Sequence, residues 1–119
     1  MTKLKKVKIW SSSKADQNFS KHIRARDKVC FFGCGRPAIQ NSHFWGRNIS
    51  ATRYNELNCD GVCGHCHLKH EGNKAGLYRD LKIKQLGQKV YDELRKLAFQ
   101  SRITRREAIL ALMKLLGAG

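Results

Sequence analysis

The chain has 119 residues, which is enough for one compact domain and too few for two. Lysine and arginine together number 24 against 9 acidic residues, and the resulting formal charge of +15 favours a polyanionic partner. No apolar run approaches the roughly 20 residues that a membrane-spanning helix needs, so the expected partner is a nucleic acid and not a membrane. We therefore expect a single nucleic-acid-binding domain over residues 1–119.

The first 13 residues are expected to form a basic arm, because four of the first ten are lysines. This arm lacks the apolar segment of a secretory signal, so we expect a cytoplasmic protein. Thiols stay reduced in that compartment, and the five cysteines are therefore better explained as metal ligands than as disulfides.

An amphipathic helix is predicted over residues 14–28. Its apolar residues recur at the spacing of one helical face, at Ala15, Phe19 and Ile23. The serines at positions 11–13 can cap its first turn. Arg24 and Arg26 lie on this helix and are candidate contacts to DNA phosphates.

The segment 29–76 contains all five cysteines and is predicted to form the core of an α+β fold. Strands are expected over Ala38–Phe44 and Leu57–Val62, separated by the polar, basic loop Trp45–Glu56. A short helix is expected from Gly64 to about Gly72. This small core would be flanked by the N-terminal helix and by C-terminal helices.

Three helices are predicted in the tail, residues 77–119. The first is broken by Gly87, and a second follows it. Thr104 and Glu107 have the spacing of a capping box, which predicts the start of a third helix that continues to Leu116. The third helix is apolar on more than one face, so it is either deeply packed or paired with a second copy of the chain in a homodimer.

Two cysteine pairs predict a structural zinc site. Cys30 and Cys34 are separated by three residues, and Cys63 and Cys66 by two. Four thiolates at this paired spacing suit the tetrahedral coordination of Zn²⁺, and the alternative is a set of buried cysteines without a metal. Cys59 lies in the second strand and is expected to be a small core residue.

Three side chains near the cysteine pairs have the chemistry for hydrolysing a phosphodiester. His43 ends the first strand, Asn58 opens the second, and His67 follows the last cysteine. Histidine titrates near neutral pH, so His43 is a candidate general base that activates water. Asn58 either orients His43 and its strand or binds a metal ion, and His67 is a candidate ligand for a divalent ion.

The stretch from Ala15 to about Leu97 resembles phage HNH endonucleases of the NinG/Rap recombination-protein family. The segments that carry this resemblance are Ala15-Asp16, Phe19-Ser20, Ile23 to Asp27, Cys30 to Gly35, Ser42 to Phe44 with Arg47, Arg53-Tyr54, Asn58-Cys59, Cys63 to Cys66, Gly72-Asn73, and Tyr78 with Leu86-Gly87. They extend over about two thirds of the chain.

The resemblance implies a ββα-metal (HNH) fold with a single catalytic divalent ion, Mg²⁺ or Mn²⁺. It implies branched or recombination-intermediate DNA as the substrate. It also implies that His43 is the general base, and that Asn58 and His67 bind the metal or orient the base.

This chain departs from the pattern of such enzymes around the metal. HNH enzymes often carry an aspartate or histidine just before the base, where this chain has Ser42. The family commonly has asparagine where this chain has His67. Glu71 or His70, one helical turn after His67, is then expected to complete the ligand set.

The loop between the strands is a candidate DNA-binding element. Arg47 and Arg53 can bind phosphates. Trp45 and Tyr54 can stack on an unpaired base, or they can instead pack in the core. Further candidate phosphate contacts are Lys69 and Lys74.

The sequence therefore predicts a metal-dependent endonuclease that hydrolyses DNA phosphodiester bonds. One alternative is a site-specific nicking or homing HNH nuclease, although the chain has no long specificity domain. Another is a non-catalytic zinc-binding module that only binds nucleic acid, which Ser42 keeps open.

Overall fold

The structure is a computed structural model that describes residues 8–70 and 76–118. Within these ranges the chain forms an α+β fold with a two-stranded sheet. The helices are α1 (Ser12–Arg26), α2 (Ser50–Arg53), α3 (Gly64–His70), α4 (Leu77–Leu86), α5 (Gln88–Gln100) and α6 (Arg105–Leu115); the strands are β1 (Gln40–His43) and β2 (Cys59–Val62); a 3-10 helix spans Glu56–Asn58.

Several predicted features lie outside the described residues. They are the first seven residues of the basic arm, the candidate metal ligand Glu71 and the candidate DNA contact Lys74. No helix in the described ranges is long and apolar enough to cross a membrane.

Helix α1 differs from the predicted 14–28 by two residues at each end. It begins earlier because the Ser11 hydroxyl accepts a hydrogen bond from the Lys14 N–H (3.1 Å) and caps the first turn. It ends earlier because Asp27 is extended, and the carboxylate of Asp27 accepts from the Gly61 N–H in β2 (2.8 Å). This contact ties the end of the helix to the sheet.

Strands β1 and β2 pair antiparallel, with His43 opposite Cys59. Both are shorter than predicted. Before β1, the Ile39 N–H still donates to the Val62 carbonyl of β2 (2.9 Å), whereas the Ala38 N–H donates to the Lys28 carbonyl (3.1 Å). The predicted start of β2 is a 3-10 helix, so Asn58 precedes the strand instead of opening it. The loop between the strands, predicted to be irregular, contains helix α2.

The three tail helices are confirmed. Gly87 separates α4 from α5 with a φ of 81°, a left-handed conformation that glycine adopts without strain. The predicted capping box is present at the start of α6: the Glu107 N–H donates to the Thr104 hydroxyl (3.1 Å), and the Glu107 carboxylate accepts from the Thr104 N–H (3.4 Å).

One apolar cluster joins α1 to α6. Its buried members are Ala15, Phe19, Ile23, Tyr54, Cys59, Ala108, Ile109, Leu112 and Met113. Deep packing therefore explains one apolar face of α6, whereas Leu110 and Leu115 are exposed, and pairing with a second copy stays a prediction. Cys59 is 0% exposed, as expected of a small core residue.

Aromatic rings attach α4 and α5 to the strands. Tyr78 of α4 and Tyr91 of α5 pack edge-on to Phe44, with ring centroids 5.0 and 5.9 Å apart. Trp45 lies against Phe44 (4.7 Å) and Tyr91 (5.6 Å). Of the two roles predicted for Trp45, packing is therefore the one that the structure favours.

Asp60 of β2 and Lys82 of α4 form an ion pair that is shielded from water. Their exposed fractions are 0% and 1%, and Nζ of Lys82 lies 3.0 Å from Oδ2 and 3.1 Å from Oδ1 of Asp60. The Tyr78 hydroxyl donates to the same carboxylate (2.8 Å). Burial lowers the pKa of Lys82, and the adjacent carboxylate opposes that shift.

Removing one partner of this pair should strongly destabilise the fold. Lys82→Met should reduce the free energy of unfolding by about 3–5 kcal/mol, because it leaves the buried Asp60 carboxylate with the Tyr78 hydrogen bond but without its opposite charge. The double variant Asp60→Asn, Lys82→Met should lose less than the sum of the single changes. Guanidinium unfolding at pH 7 measures both effects.

The matched control lies on the same helix, in the exposed Arg79–Asp80 pair. Asp80→Asn should change the free energy of unfolding by less than about 0.5 kcal/mol. An unchanged unfolding midpoint for Lys82→Met would show that the Asp60 carboxylate is not shielded from water.

Candidate functional site

Four cysteine sulfur atoms meet where the sequence predicts a zinc site. The Sγ atoms of Cys30, Cys34, Cys63 and Cys66 all lie within 4.8 Å of one another, and those of Cys34 and Cys63 are 3.6 Å apart. Tetrahedral zinc with Zn–S bonds of about 2.3 Å requires sulfur atoms about 3.8 Å apart. The cluster therefore fits a zinc ion, and Cys59 is not part of it.

Local backbone structure presents the thiols. Gly33 and Gly35 flank Cys34 with φ values of 74° and 82°, which let the chain turn sharply on both sides of that cysteine. In the second pair, the Cys66 N–H donates to Sγ of Cys63 (3.3 Å). This bond is the largest of several contributions that lower the pKa of Cys63 to about 6, which favours the thiolate, the form that binds metal.

A cleft of about 720 Å³ lies beside α1 and β1. It brings together His43 and His67, the two histidines predicted to act in catalysis. Its α1 wall carries Asp16, Gln17, Ser20, Lys21 and Arg24. The sequence analysis missed Gln17, Ser20 and Lys21, although with Arg24 they form a polar stripe at helical spacing that could have revealed them.

Hydrogen bonding fixes the tautomer of His43. Its Nε2 lies 2.9 Å from the Arg53 carbonyl oxygen, and a carbonyl can only accept. Nε2 therefore carries the proton and Nδ1 the lone pair. Burial lowers the pKa of His43 to about 4, so the ring is neutral at physiological pH. A neutral imidazole in this state can accept a proton through Nδ1.

Asn58 clamps the loop that leads from β1 to Arg53. The side chain is fully buried; Oδ1 accepts from the Trp45 N–H (2.9 Å), and Nδ2 donates to the carbonyls of Trp45 and Thr52 (both 3.0 Å). Asn58 does not line the cleft. Of its two predicted roles, the geometry favours orientation over metal binding, because the side-chain oxygen already bonds to the backbone.

His67 is held in a tautomer suited to binding a metal ion. Its Nδ1 lies 2.7 Å from Oε1 of Gln40, to which it donates, so the lone pair is on Nε2. Asn41, on the same side of β1 as His43, also lines the cleft. Among the described residues, its buried Oδ1 has no hydrogen-bond partner. This oxygen is a candidate ligand that the sequence analysis missed.

Ser42 and His70 stand at two further positions relevant to the divalent-ion site, but neither lines the cleft. Ser42 is 5% exposed and does not line the cleft, as expected from the alternation of side chains along β1. The ring of His70 stacks on Phe32, with centroids 4.2 Å apart. Of the predicted ligands of the divalent ion, His67 is therefore the one that the described part of the chain retains. Asn41 is added to it as a candidate.

Two of the predicted DNA-contacting arginines make bonds within the fold. Arg26 donates through two nitrogens to the Asp27 carboxylate (both 2.9 Å) and through two contacts to backbone carbonyls. Arg53 donates through Nε (3.1 Å) and Nη2 (2.7 Å) to the Asp16 carboxylate. These guanidinium groups are already bonded within the protein, which makes them weaker candidates for phosphate contacts, and their role in DNA binding stays a prediction.

Other predicted contacts remain accessible. Arg24 and Arg47 line the cleft, and the side chain of Arg47 is 64% exposed. Lys69 is exposed on α3. Tyr54 is 9% exposed and packs edge-on to Phe19 with centroids 5.6 Å apart, so it anchors the core.

Elemental analysis of protein purified without added metal should find about one tightly bound zinc per chain. Cys34→Ser should lose the zinc and unfold the segment around β1, β2 and α3, because structural zinc contributes about 10–16 kcal/mol of apparent binding energy. Cys59→Ala is the control and should retain the zinc, since Cys59 lies outside the cluster. Zinc-free protein with a native circular dichroism spectrum would refute this site.

Comparison of the chain with protein-family models, with curated proteins and with solved structures found no match. Any assignment of function therefore depends on the geometry of the chain itself. The features that carry most chemical information are the cysteine cluster and the cleft that His43 and His67 share.

Proposed function

We propose that the protein is a metal-dependent DNA endonuclease of the HNH, or ββα-metal, type. The observation that carries the proposal is His43, a neutral imidazole with its lone pair on Nδ1, in a basic cleft that also contains His67. Strands β1 and β2 and helix α3 follow one another from the first cysteine pair to the second, an order that supports a ββα-metal core. The formal charge of +15 supports a nucleic-acid substrate.

Basic side chains on two walls of the cleft would bind the phosphodiester backbone. Lys21 and Arg24 belong to α1, and Arg47 belongs to the loop after β1. Phosphate contacts position a strand without reading its sequence, so binding should be weakly specific and should weaken steeply as salt rises. Branched or recombination-intermediate DNA is the substrate that the resemblance implies, and it is part of this proposal.

His43 would act as the general base. Nδ1 takes a proton from water, the water oxygen attacks phosphorus, and the bond to the 3′ oxygen breaks. The Arg53 carbonyl accepts from Nε2 and stabilises the imidazolium that forms. Asn58 holds the segment that carries this carbonyl, through its bond to Thr52.

His67 and Asn41 would hold the divalent ion, Mg²⁺ or Mn²⁺. When bound, the ion supplies positive charge that neutralises the phosphate and the leaving oxygen. An imidazole nitrogen and an amide oxygen are suitable ligands for such ions. The buried Oδ1 of Asn41, which has no partner among the described residues, is the observation that fits a cation here.

A non-catalytic zinc-binding module that binds nucleic acid is the second candidate. Ser42 favours it, because this buried serine stands where related enzymes often carry a metal ligand. In such a module the cleft would bind phosphates without cutting them. Cleavage measurements separate the two candidates.

The His43→Ala variant should cut DNA about 10²–10⁴-fold more slowly than wild type, because general-base catalysis typically contributes that factor. It should keep its zinc and bind DNA with nearly the wild-type Kd. Single-turnover cleavage of forked DNA with Mg²⁺ or Mn²⁺, with Kd measured in parallel, tests this.

His22→Ala is the matched control for this experiment. His22 bonds to Glu56 (2.9 Å) and does not line the cleft, so the variant should cut at the wild-type rate. Equal rates for His43→Ala and wild type would exclude His43 as the base. If wild type cuts no DNA structure with either metal, the binding module is the correct candidate.

The pH dependence of cleavage provides a separate prediction. His43 acts as a base only when neutral, and its lowered pKa of about 4 keeps it neutral down to that pH. Protonation of His43 should therefore cause no fall in the single-turnover rate between pH 7.5 and 5.5. The pH profiles of wild type and His43→Ala should have the same shape over this range. A base with the ordinary pKa of about 6.5 would instead lose about tenfold in rate over this range.

A further inference from the structure

Three side chains converge on the carboxylate of Asp16, which lines the cleft from α1. Arg53 donates from Nε to Oδ1 (3.1 Å) and from Nη2 to Oδ2 (2.7 Å). The Tyr54 hydroxyl donates to Oδ1 (2.8 Å), and Nη1 of Arg47 lies 3.7 Å from Oδ2. Asp16 therefore connects α1 to the loop between the strands at three points.

One arm of this network reaches His43 through Arg53. The Arg53 carbonyl accepts from Nε2 of His43 (2.9 Å), while the side chain of the same arginine donates two hydrogen bonds to the Asp16 carboxylate. Only 13% of that side chain is exposed. Because one residue makes both contacts, the Asp16 carboxylate adds a side-chain restraint on the residue whose carbonyl fixes the His43 tautomer, beside the backbone restraint that Asn58 provides through Thr52.

A second arm reaches the phosphate-binding wall through Arg47. Nη1 of Arg53 donates to the Arg47 carbonyl (3.3 Å), and the Arg47 guanidinium lies beside the Asp16 carboxylate. The Arg47 side chain is 64% exposed, so this ion pair contributes little energy. It places the Arg47 guanidinium beside Asp16 at the wall of the cleft.

A carboxylate at this position opposes DNA binding. Among the cleft-lining residues that the structure describes, Asp16 is the only acidic one, and it shares the cleft with Lys21, Arg24 and Arg47. Its negative charge repels a bound polyanion. The benefit of Asp16 must therefore lie in geometry and not in affinity.

We infer that Asp16 is a positioning residue that, through Arg53 and Arg47, sets both the base and the phosphate contact of the cleft. This inference rests on the proposed nuclease function. It requires turnover and affinity to respond in different directions: loss of the carboxylate slows cleavage, while DNA binds equally well or more tightly.

The test is Asp16→Asn, which keeps the size of the side chain and removes its charge. Single-turnover cleavage of forked DNA should slow about 10–100-fold, the range seen when outer partners of catalytic groups are removed. The Kd for DNA should be equal or lower, and zinc content should not change. Nitrogen-15 NMR of His43 should show a growing share of the tautomer protonated on Nδ1.

A second variant changes Arg53, the other member of the Asp16–Arg53 pair. Arg53→Lys keeps the positive charge and the backbone carbonyl but loses the two-pronged contact with Asp16. It should shift the His43 tautomer and slow cleavage in the same direction. It also replaces Asp16→Asn in the experiment if that variant does not fold.

The matched control is Asp27→Asn. Asp27 also forms a two-pronged pair, with Arg26, and its side chain is 25% exposed against 22% for Asp16. It does not line the cleft. Because the Asp27 carboxylate also accepts from the Gly61 N–H, this variant should lower the free energy of unfolding, while the folded protein keeps the wild-type His43 spectrum and cleavage rate.

Wild-type cleavage and a wild-type His43 spectrum in folded Asp16→Asn would overturn the inference. A fall in rate explained entirely by weaker DNA binding would overturn it as well. If the wild-type protein cuts no DNA, the proposed function fails, but the spectra still decide the positioning role. An unchanged His43 tautomer then rejects it, and a shifted one supports it.

Discussion

The close approach of four cysteine sulfur atoms is the constraint on which the site depends. It connects the turn before β1 with the start of α3, and both strands and the loop between them lie in the closed segment. A metal ion at these sulfurs would stabilise that segment more than its short strands can, since each strand has only four residues. His43 lies within this closed segment and His67 directly follows it, and both residues line one cleft.

The four arginines predicted to contact DNA fall into two groups that composition alone does not distinguish: those bonded within the protein and those that line the cleft. Arg26 and Arg53 neutralise carboxylates and bind backbone carbonyls inside the protein. Arg24 and Arg47 line an open cleft. The division depends on partners far apart in sequence, because Arg53 and Asp16 are separated by 37 positions. Net charge therefore predicts a polyanionic partner without identifying the residues that would contact it.

Features that depend on short-range spacing could be predicted from the sequence. The buried stripe of α1, the capping box at Thr104 and the two cysteine pairs all involve residues a few positions apart. The buried pair of Asp60 and Lys82 could not be predicted in this way, because a lysine on a helix usually indicates an exposed face.

The candidate site also contains some features that the sequence could predict and others that depend on tertiary packing. Its histidines were predicted from their positions relative to the cysteines, and the structure brings both to one cleft. Their chemical roles stay predictions. The unpartnered oxygen of Asn41 and the inward turn of Arg53 are products of tertiary packing, so no local pattern marks them.

Helix α1 keeps its buried residues and its cleft-lining residues on separate stripes. Ala15, Phe19 and Ile23 are buried in the core, whereas Gln17, Lys21 and Arg24 line the cleft. Because the stripes share no side chain, substitutions on the cleft stripe should change the chemistry of the cleft wall with little loss of folding free energy. The cleft stripe can therefore diverge while the scaffold stays constant, and it is a natural place to randomise in directed evolution.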